Sequence, residues 1–347
     1  MSRVQTLTVD ADGDDQRLDR WFRRMFPHIS QGRIEKLCRK GEIRVDGGRV
    51  KSATRLVERQ QVRVPPLPDP GDLPPVPEAK KVSAEDARMI QECVIYKDDD
   101  IIVLNKPAGL ATQGGSGQVK HVDGLAEALK FGLDRRPRLV HRLDKDTSGV
   151  LLLARNGQAA KGLSKAFQDK TTQKIYWALV AGRPDQQVGT IRYGLVKQAG
   201  HGPHGAGEKM ICIPPDEVDS TEGAKRATTD FAEIETLGRT TWLGLSPITG
   251  RTHQLRAHLA EMGYPIVGDG KYGGSGQLNE GDGWGAQIGG VVSRKMHLHA
   301  RSIKIVHPTT GKEMLFEAPL PEHMQKTWDT FGWNLKWAPK DPFEIFR

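Results

Sequence analysis

A run of prolines divides this chain into two parts that must fold around separate cores. The stretch PPLPDPGDLPPVP, residues 65–77, holds 7 of the 21 prolines in the 347-residue chain. Each proline removes a backbone N–H donor and restricts φ, so the stretch excludes a helix or a central strand. We interpret residues 66–91 as a semi-rigid linker. The sequence then predicts a small domain over residues 1–65, a large domain over residues 92–330 and a C-terminal extension over residues 331–347.

The small domain carries the basic character of the chain. The net charge is +8, and residues 16–63 alone contain 14 Lys and Arg against 5 Asp and Glu. One helix is predicted from Asp15 and a second after the capping residue Ser30, followed by short strands around an Asp46-Gly47 turn. The second helix projects four basic side chains: Arg33, Lys36, Arg39 and Lys40. Because the excess charge is confined to one foldable segment, we expect this domain to bind nucleic acid.

The large domain is predicted to be α+β. Strand-like and helical segments are interspersed without strict alternation, and glycine and proline turns are frequent. The strand-like segments are residues 101–105, 150–154, 175–182, 241–247 and 302–308, and the helical ones are residues 158–168 and a segment after Gly250. This pattern favours a mixed, mostly antiparallel β-sheet with flanking helices, next to a small N-terminal α/β domain. Residues 199–223 and 273–290 lack periodicity and are interpreted as surface excursions.

The remaining composition excludes several classes of protein. No apolar run approaches the roughly 20 residues needed to span a bilayer. The N-terminus has no secretory signal pattern, so we expect a cytoplasmic protein that does not act in a membrane. Cys38, Cys93 and Cys212 lie far apart, which is typical neither of a zinc site nor of a disulfide framework.

The densest polar cluster is HRLDKDTSG, residues 141–149, directly before the apolar segment VLLLA. A polar loop that enters a buried strand is held rigidly yet remains exposed, which suits catalytic groups. Asp146, Thr147 and Ser148 are interpreted as residues that cap backbone donors of this loop. Asp144 is the candidate for chemistry.

Four motifs in order resemble those of one enzyme family. HRLDKDTSG, LNKPAGL (104–110), KIYWALVAG (174–182) and TGRTHQLRAHL (249–259) are similar to motifs of the RNA pseudouridine synthases that carry an HRLD sequence. The N-terminal stretch RLDRWFRRMFPHISQGRIEKLCRKGEIRVDGGRVK resembles the S-four type RNA-binding domain. The resemblance implies isomerisation of uridine to pseudouridine in RNA. That reaction gains and loses no atoms, so no cofactor and no metal is expected.

The resemblance also implies roles for individual residues. Asp144 is the catalytic carboxylate, acting either as a nucleophile at the sugar or as a base that removes a ribose proton. Arg251 pairs with it, and Tyr176 stacks on the uracil and is a candidate for relaying the proton of carbon 5. The residues assigned to substrate binding are Arg142, which fills the gap left by the flipped base, together with Leu255, His253, Gln254 and Lys106. For Lys106 the two roles considered are contact with phosphate and positioning of a loop. The S-four resemblance assigns RNA binding to the four basic residues of the second helix.

Alternative functions stay open at this point. The expected partner is large-subunit ribosomal RNA or an assembly intermediate of the ribosome, with transfer RNA as the other possible substrate. A non-catalytic assembly factor is a second alternative, although Asp144, Tyr176 and Arg251 are all present. A glycosidase or nucleosidase is disfavoured, because Asp144 and Asp146 on one loop cannot oppose each other across a glycosidic bond. A monomer is the default expectation.

Overall fold

The computed structural model describes residues 3–69, 71, 82–114, 120–198, 209–273 and 292–344. The chain divides into two compact units, Met1–Lys81 and Val82–Arg347. Among the described residues, no helix is both long enough and apolar enough to cross a bilayer. The predicted α+β class is confirmed.

The N-terminal unit packs two helices on a four-stranded sheet of order β1-β4-β2-β3. Its elements are β1 Gln5–Thr8, α1 Leu18–Met25, α2 Gln31–Lys40, β2 Arg44–Val45, β3 Gly48–Arg49 and β4 Gln61–Val64. As predicted, Ser30 caps α2 by accepting a hydrogen bond from the backbone N–H of Arg33, and Gly41 ends α2 in the left-handed conformation. Helix α1 starts three residues later than predicted from Asp15, whose carboxylate instead pairs with Arg55 at 2.9 Å.

The second unit is built on one large mixed sheet. Its described strands follow the order β11-β10-β12-β13-β9-β14-β8-β6-β5, with β15 paired to β14 and β7 paired to β8. Only the pairing of β14 with β8 is parallel among them. The strands are β5 Val94–Lys97, β6 Ile101–Lys106, β7 Arg138–Leu139, β8 Ser148–Ala154, β9 Gln173–Ala181, β10 Val188–Gln198, β11 Lys209–Ile213, β12 Lys225–Leu237, β13 Thr240–Pro247, β14 Leu298–Val306 and β15 Glu313–Glu317.

Helices cover both faces of this sheet. They are α3 Ala84–Glu92, α4 Val122–Leu125, α5 Gly157–Gln168, α6 Gln254–Glu261 and α7 Glu322–Phe331. Successive side chains of a strand point to opposite faces, so Ile102 packs in the cluster of α3 and α4 while Ile101 packs in the cluster of α5. Tyr176 on β9 borders both the α3/α4 cluster and the cluster formed with α6. The candidate site therefore lies on the face covered by α3, α4 and α6.

Three segments differ from the interpretation of the sequence. Helix α3 occupies the end of the predicted linker 66–91, and Ser83 caps it. Trp333, in the predicted C-terminal extension 331–347, is buried and stacks on Trp242 with ring centroids 5.8 Å apart. Residues 209–213, expected in an irregular excursion, form strand β11, whereas 199–208 and 274–290 lie outside the described residues. Helix α3 has a local capping signal that the proline-rich stretch obscured, whereas β11 and Trp333 acquire their partners from distant segments.

One line of residues across five neighbouring strands determines where the site forms. Leu245 pairs with Tyr176, Tyr176 with Ala300, Ala300 with Gly149, and Gly149 with Lys106. Gly149 has φ +108°, and a Cβ atom there would lie 2.2 Å from the carbonyl oxygen of Ala300. A glycine is therefore required where β8 begins its parallel pairing with β14.

We expect Gly149→Ala to lower the free energy of unfolding by at least about 3 kcal/mol, since a steric clash adds to an unfavourable φ. Gly238→Ala is the matched control, because Gly238 also has positive φ but a Cβ atom there would have no atom within 4 Å. Its cost should be about 1 kcal/mol. Urea unfolding followed by tryptophan fluorescence measures both. Equal losses in the two variants would contradict the steric requirement at Gly149.

Candidate active site

Asp144 lies on the loop of residues 140–147, which connects β7 to β8. The backbone N–H of Thr147 donates to the carbonyl of Asp144 at 3.2 Å and closes a tight turn. Since β8 starts beside Ala300 and Ala300 pairs with Tyr176, this loop ends next to the middle of β9. The sheet thus brings Asp144 and Tyr176, which are 32 positions apart in the sequence, to the same cleft.

Lys106 binds the backbone of this loop by hydrogen bonds. Its side chain is fully buried, and its ammonium donates to the carbonyl oxygens of Pro107, Leu110 and Lys145 at 2.8–3.0 Å. Burial lowers the pKa of Lys106 to about 7, although two nearby aspartates oppose the change. All three N–H donors of the ammonium are used within the protein. The prediction that Lys106 binds substrate is therefore wrong for direct contact, and its position matches the other role considered, which was to position the loop.

Thr112 holds the other side of Asp144. Its hydroxyl donates to the carbonyl of Leu143 at 2.7 Å and accepts from the N–H of the same residue at 3.1 Å. The backbone is therefore bound directly before Asp144 by Thr112 and directly after it, at Lys145, by Lys106. A carboxylate held in this way is positioned before any substrate arrives.

Arg256 is the cation beside Asp144. Its Nη1 lies 3.5 Å from Oδ2 of Asp144, while Nε and Nη2 bind both carboxylate oxygens of Asp269 at 2.7 and 2.8 Å. Burial opposes ionisation of Asp269, but hydrogen bonding and the charge of Arg256 outweigh it and lower the pKa of Asp269. One guanidinium thus joins a fully buried structural carboxylate to the candidate catalytic one.

The predicted pairing of Arg251 with Asp144 is wrong. Arg251 is exposed on the loop before α6, and its Nε donates to the carbonyl of Arg226 at 3.2 Å. Arg256 lies in the same motif but inside α6, on the buried side of that helix. Two arginines five positions apart look equivalent in the sequence, and the direction that α6 takes distinguishes them. Arg251 does line the cleft at Asp144.

Asp144 stands between two open spaces. A cleft of about 870 Å³ is lined by Asp144, Tyr176, Leu255, Arg142 and Arg251. A second cleft of about 880 Å³ also reaches Asp144, and Arg142 and Arg256 border it too. Burial and the charge of Asp144 raise the pKa of Tyr176, so its phenol stays protonated at neutral pH. Leu255 is 6% exposed and belongs both to the core and to the cleft wall.

Gln254 acts within the protein. Its amide oxygen accepts from the hydroxyl of Thr249 at 2.7 Å and from the N–H of Arg251 at 3.0 Å. Its amide nitrogen donates to the carbonyl of Thr228 at 2.8 Å and to the hydroxyl of Thr229 at 2.9 Å. All four hydrogen-bonding positions are occupied and the side chain is buried. The structure therefore contradicts substrate binding by Gln254, which instead fixes the loop before α6.

One group of possible metal ligands occurs among the described residues: Asp98, Asp100 and His307. Nδ1 of His307 accepts from the backbone N–H of Thr310 at 3.1 Å, and Nε2 lies 3.1 Å from the Asp98 carboxylate. Nδ1 is an acceptor, so Nε2 carries the proton and donates to Asp98. Nδ1 thus binds the turn that follows His307 and Nε2 binds the turn between β5 and β6, so this cluster does not offer a free imidazole ligand.

Comparisons with known proteins identify the family of this chain. The family described as RNA pseudouridylate synthase matches residues 100–261, and the S4 domain (the S-four type) matches residues 16–63. Ribosomal large subunit pseudouridine synthase C of Vibrio cholerae is 35% identical over 331 residues, covering 94% of this chain and 96% of the relative. The chain belongs to the RNA pseudouridine synthase family. The enzyme of the same name from Escherichia coli is 35% identical over 329 residues, covering 93% of this chain and 95% of the relative. The solved structure of human RNA pseudouridylate synthase domain containing 4 matches this pseudouridine synthase with a TM-score of 0.57 and 26% identity, covering 71% of this chain and 95% of that one.

The N-terminal unit of this pseudouridine synthase presents the basic surface expected of an S-four domain. All four predicted RNA-binding side chains on α2 are exposed: Arg33, Lys36, Arg39 and Lys40. Between them, Ile34, Leu37 and Cys38 face the core. The alternation follows the period of the helix, so the exposed side of α2 is available for phosphate contacts.

The sequence patterns did not reveal three residues of the pseudouridine synthase site: Arg256, Asp269 and Tyr272. Asp269 and Tyr272 lie in the glycine-rich stretch GDGKYGG, which has no helical or strand periodicity. The stretch supplies the buried partner of Arg256 and an aromatic ring 5.1 Å from its guanidinium. The apolar pair Ile266-Val267 directly before this stretch was the one available sign that an aspartate nearby is buried.

Arg256→Lys should lower the rate of pseudouridine formation by about tenfold or more, because an ammonium cannot reproduce the fork that joins Asp144 and Asp269. Arg251→Lys should change the rate at saturating RNA by less than about twofold. Single-turnover release of tritium from carbon 5 of labelled uridine in RNA measures both rates. A larger effect of Arg251→Lys would restore Arg251 as the partner of Asp144.

Proposed function

We propose that this protein isomerises specific uridines to pseudouridine in large-subunit ribosomal RNA, with Asp144 as the catalytic carboxylate. The observation that carries the proposal is the convergence of Asp144, Tyr176 and Arg256 at one cleft large enough for a nucleotide. The names of the relatives support the large ribosomal subunit as the source of the substrate. In this proposal residues 92–330 supply catalysis, and residues 1–65 supply RNA affinity.

The reaction places few demands on the protein. The bond between the sugar and nitrogen 1 of uracil breaks, the base turns, and carbon 5 bonds to the same sugar carbon. The proton of carbon 5 then leaves, and nitrogen 1 gains one. Asp144 either attacks the sugar carbon or removes a ribose proton, and the same geometry serves both steps. Arg256 attracts the carboxylate and holds it in place during either step.

Tyr176 is proposed to stack on the uracil. It lies on the sheet face that carries the cleft and packs against both flanking clusters, so its ring has a fixed orientation. Its raised pKa favours the neutral phenol. A neutral phenol suits stacking and proton relay through its hydroxyl, and it is a weak base on its own.

Arg142 is proposed to occupy the space that the base leaves in the RNA. It is exposed, lies two positions before Asp144 in the sequence, and borders both clefts. A planar cation can stack between bases and still donate hydrogen bonds, which offsets part of the cost of flipping. Leu255 would contact the flipped base, and Lys174 and Arg251 add positive charge along the same cleft.

The partner in this proposal is RNA in the cytoplasm, and the protein acts as a monomer without a cofactor. The exposed basic side of α2 would bind the RNA backbone through Arg33, Lys36 and Arg39, with Lys40 at the end of the helix. Such contacts position the protein without selecting a sequence, so the choice of uridine depends on RNA shape and on the cleft.

The proposal is tested by mapping pseudouridine in the ribosomal RNA of cells that lack this protein. Wild type should restore specific positions in the large-subunit RNA, and Asp144→Asn should restore none of them, since it removes the charge with almost no change of shape. An unchanged ribosomal map would exclude this substrate and favour transfer RNA. Restoration by Asp144→Asn would remove Asp144 from catalysis.

Replacing Arg33, Lys36 and Arg39 together with Gln should weaken RNA binding and reduce its salt dependence. Each lost phosphate contact lowers the slope of log affinity against log salt by about 0.7 to 0.9. The control replaces three exposed lysines of the second unit, Lys312, Lys326 and Lys336, and changes the net charge equally. Both are measured in the Asp144→Asn background by titration with ribosomal RNA fragments. Equal slopes in the two triple variants would exclude α2 as the docking surface.

A further inference from the structure

A chain of hydrogen bonds leads from strand β11 to the edge of the active site. The backbone N–H of Met210 donates to the hydroxyl oxygen of Tyr272 at 2.8 Å. The same hydroxyl lies 3.1 Å from Nδ1 of His253. Nε2 of His253 lies 3.9 Å from Oδ2 of Asp144. Met210, Tyr272, His253 and Asp144 therefore form a continuous connection.

The groups at the two ends, a backbone N–H that donates and a carboxylate that accepts, determine which atom donates in each contact between them. The Tyr272 oxygen accepts from Met210, so its own O–H is available to donate to Nδ1 of His253. A neutral imidazole that accepts at Nδ1 carries its proton on Nε2. That N–H then faces the Asp144 carboxylate, which can only accept. The opposite tautomer would direct a lone pair at a carboxylate, which is unfavourable.

His253 is held in an unusual backbone conformation. Its φ is +52° and its ψ is +21°, in the left-handed region that a residue with a Cβ atom rarely adopts. Such a conformation costs about 1 to 2 kcal/mol and persists where surrounding contacts require it. It turns the imidazole of His253 toward Tyr272 and Asp144, at the start of α6.

Asp269 positions both Tyr272 and Arg256. Its Oδ1 accepts from the backbone N–H groups of Lys271 and Tyr272 at 2.9 and 3.1 Å, and both its oxygens bind Arg256. The Tyr272 ring lies 5.1 Å from the Arg256 guanidinium. One buried carboxylate thus orients both Arg256, which reaches Asp144, and Tyr272, which reaches His253.

We propose that Tyr272 is a positioning residue that holds His253 in the Nε2–H tautomer, so that His253 supplies a second hydrogen-bond donor to Asp144 beside Arg256. The inference rests on the proposed function of Asp144. At 3.9 Å the contact with Asp144 is longer than a hydrogen bond, and the proposal requires it to shorten in the RNA complex, as catalytic hydrogen bonds commonly do when substrate binds. His253 and Arg256 both approach Oδ2, so together they hold that oxygen from two directions.

Several charged and titratable groups surround His253, and burial favours its neutral form. They are Asp144 on its loop, Arg256 on α6, and Asp269, Lys271 and Tyr272 on the following turn. Burial is the largest influence and lowers the pKa of His253, and Arg256 and Lys271 act in the same direction against Asp144 and Asp269. The O–H of Tyr272 also stabilises the neutral ring, because a protonated ring has no lone pair to accept it.

Tyr272→Phe removes only the hydroxyl and keeps the ring beside Arg256. We expect kcat to fall about tenfold, the loss that accompanies one hydrogen bond, with KM changed by less than about threefold. The pKa of His253 should rise, because the neutral ring no longer accepts the O–H of Tyr272, and a pH titration of its ring signals measures this change. Tyr193→Phe is the control, since Tyr193 contacts His258 on α6 by ring edge at 5.9 Å and does not line either cleft. It should leave kcat and the pKa of His253 unchanged.

A double-mutant cycle separates this role from general packing. His253→Asn tolerates the left-handed backbone but is too short to reach Tyr272. In that background Tyr272→Phe should have no further effect on kcat. An equal loss in both backgrounds, or an unchanged pKa of His253 in Tyr272→Phe, would overturn the proposal.

Nitrogen-15 spectra of histidine-labelled full-length protein decide the tautomer without requiring activity. Wild type should show His253 protonated on Nε2, with its signals assigned by their loss in His253→Asn, and Tyr272→Phe should mix the tautomers. Protonation on Nδ1 in wild type overturns the proposal, whatever the activity. If wild type shows the Nε2–H form but makes no pseudouridine, then the proposed function fails while the positioning by Tyr272 stands.

Discussion

The buried contact between Arg256 and Asp269 is the interaction on which the site depends. Removing two charges from water is costly, and this pair offsets the cost by two short hydrogen bonds and by backbone donors to Asp269. The remaining nitrogen of Arg256 reaches Asp144. The pair therefore contributes little net stability compared with apolar packing, but it determines where α6, the following turn and the Asp144 loop meet.

Strands β8, β14 and β9 pair next to this contact and fix the positions of the surrounding residues. The parallel pairing of β14 with β8 places Gly149 beside Ala300, and the antiparallel pairing of β14 with β9 places Tyr176 on the other side. Lys106 and Thr112 then bind the loop backbone around Asp144. A carboxylate fixed by buried groups loses little freedom when RNA binds, so binding energy remains available to flip the base.

The two units carry different charges: the first exposes basic side chains suited to RNA affinity, and the second places Asp144 at a cleft. The basic N-terminal unit exposes Arg33, Lys36 and Arg39 on α2, which suits phosphate contacts that tolerate many sequences. The second unit places its functional charges in a cleft, where each one has a specific neighbour. An enzyme that modifies a base inside structured RNA needs both, since the unpairing of a nucleotide must be offset by contacts elsewhere.

Local patterns in the sequence determined the fold class, the caps of α2 and the basic side of that helix, and ordered motifs singled out Asp144 and Tyr176, which line one cleft. These features depend on residues within about one or two turns of each other, or on short ordered motifs. Tertiary structure alone decided that Arg256 rather than Arg251 reaches Asp144, that Lys106 and Gln254 bond within the protein, and that Trp333 completes a core. The reason is physical: which of several polar side chains becomes buried depends on the path of distant segments, and burial sets both its partners and its charge.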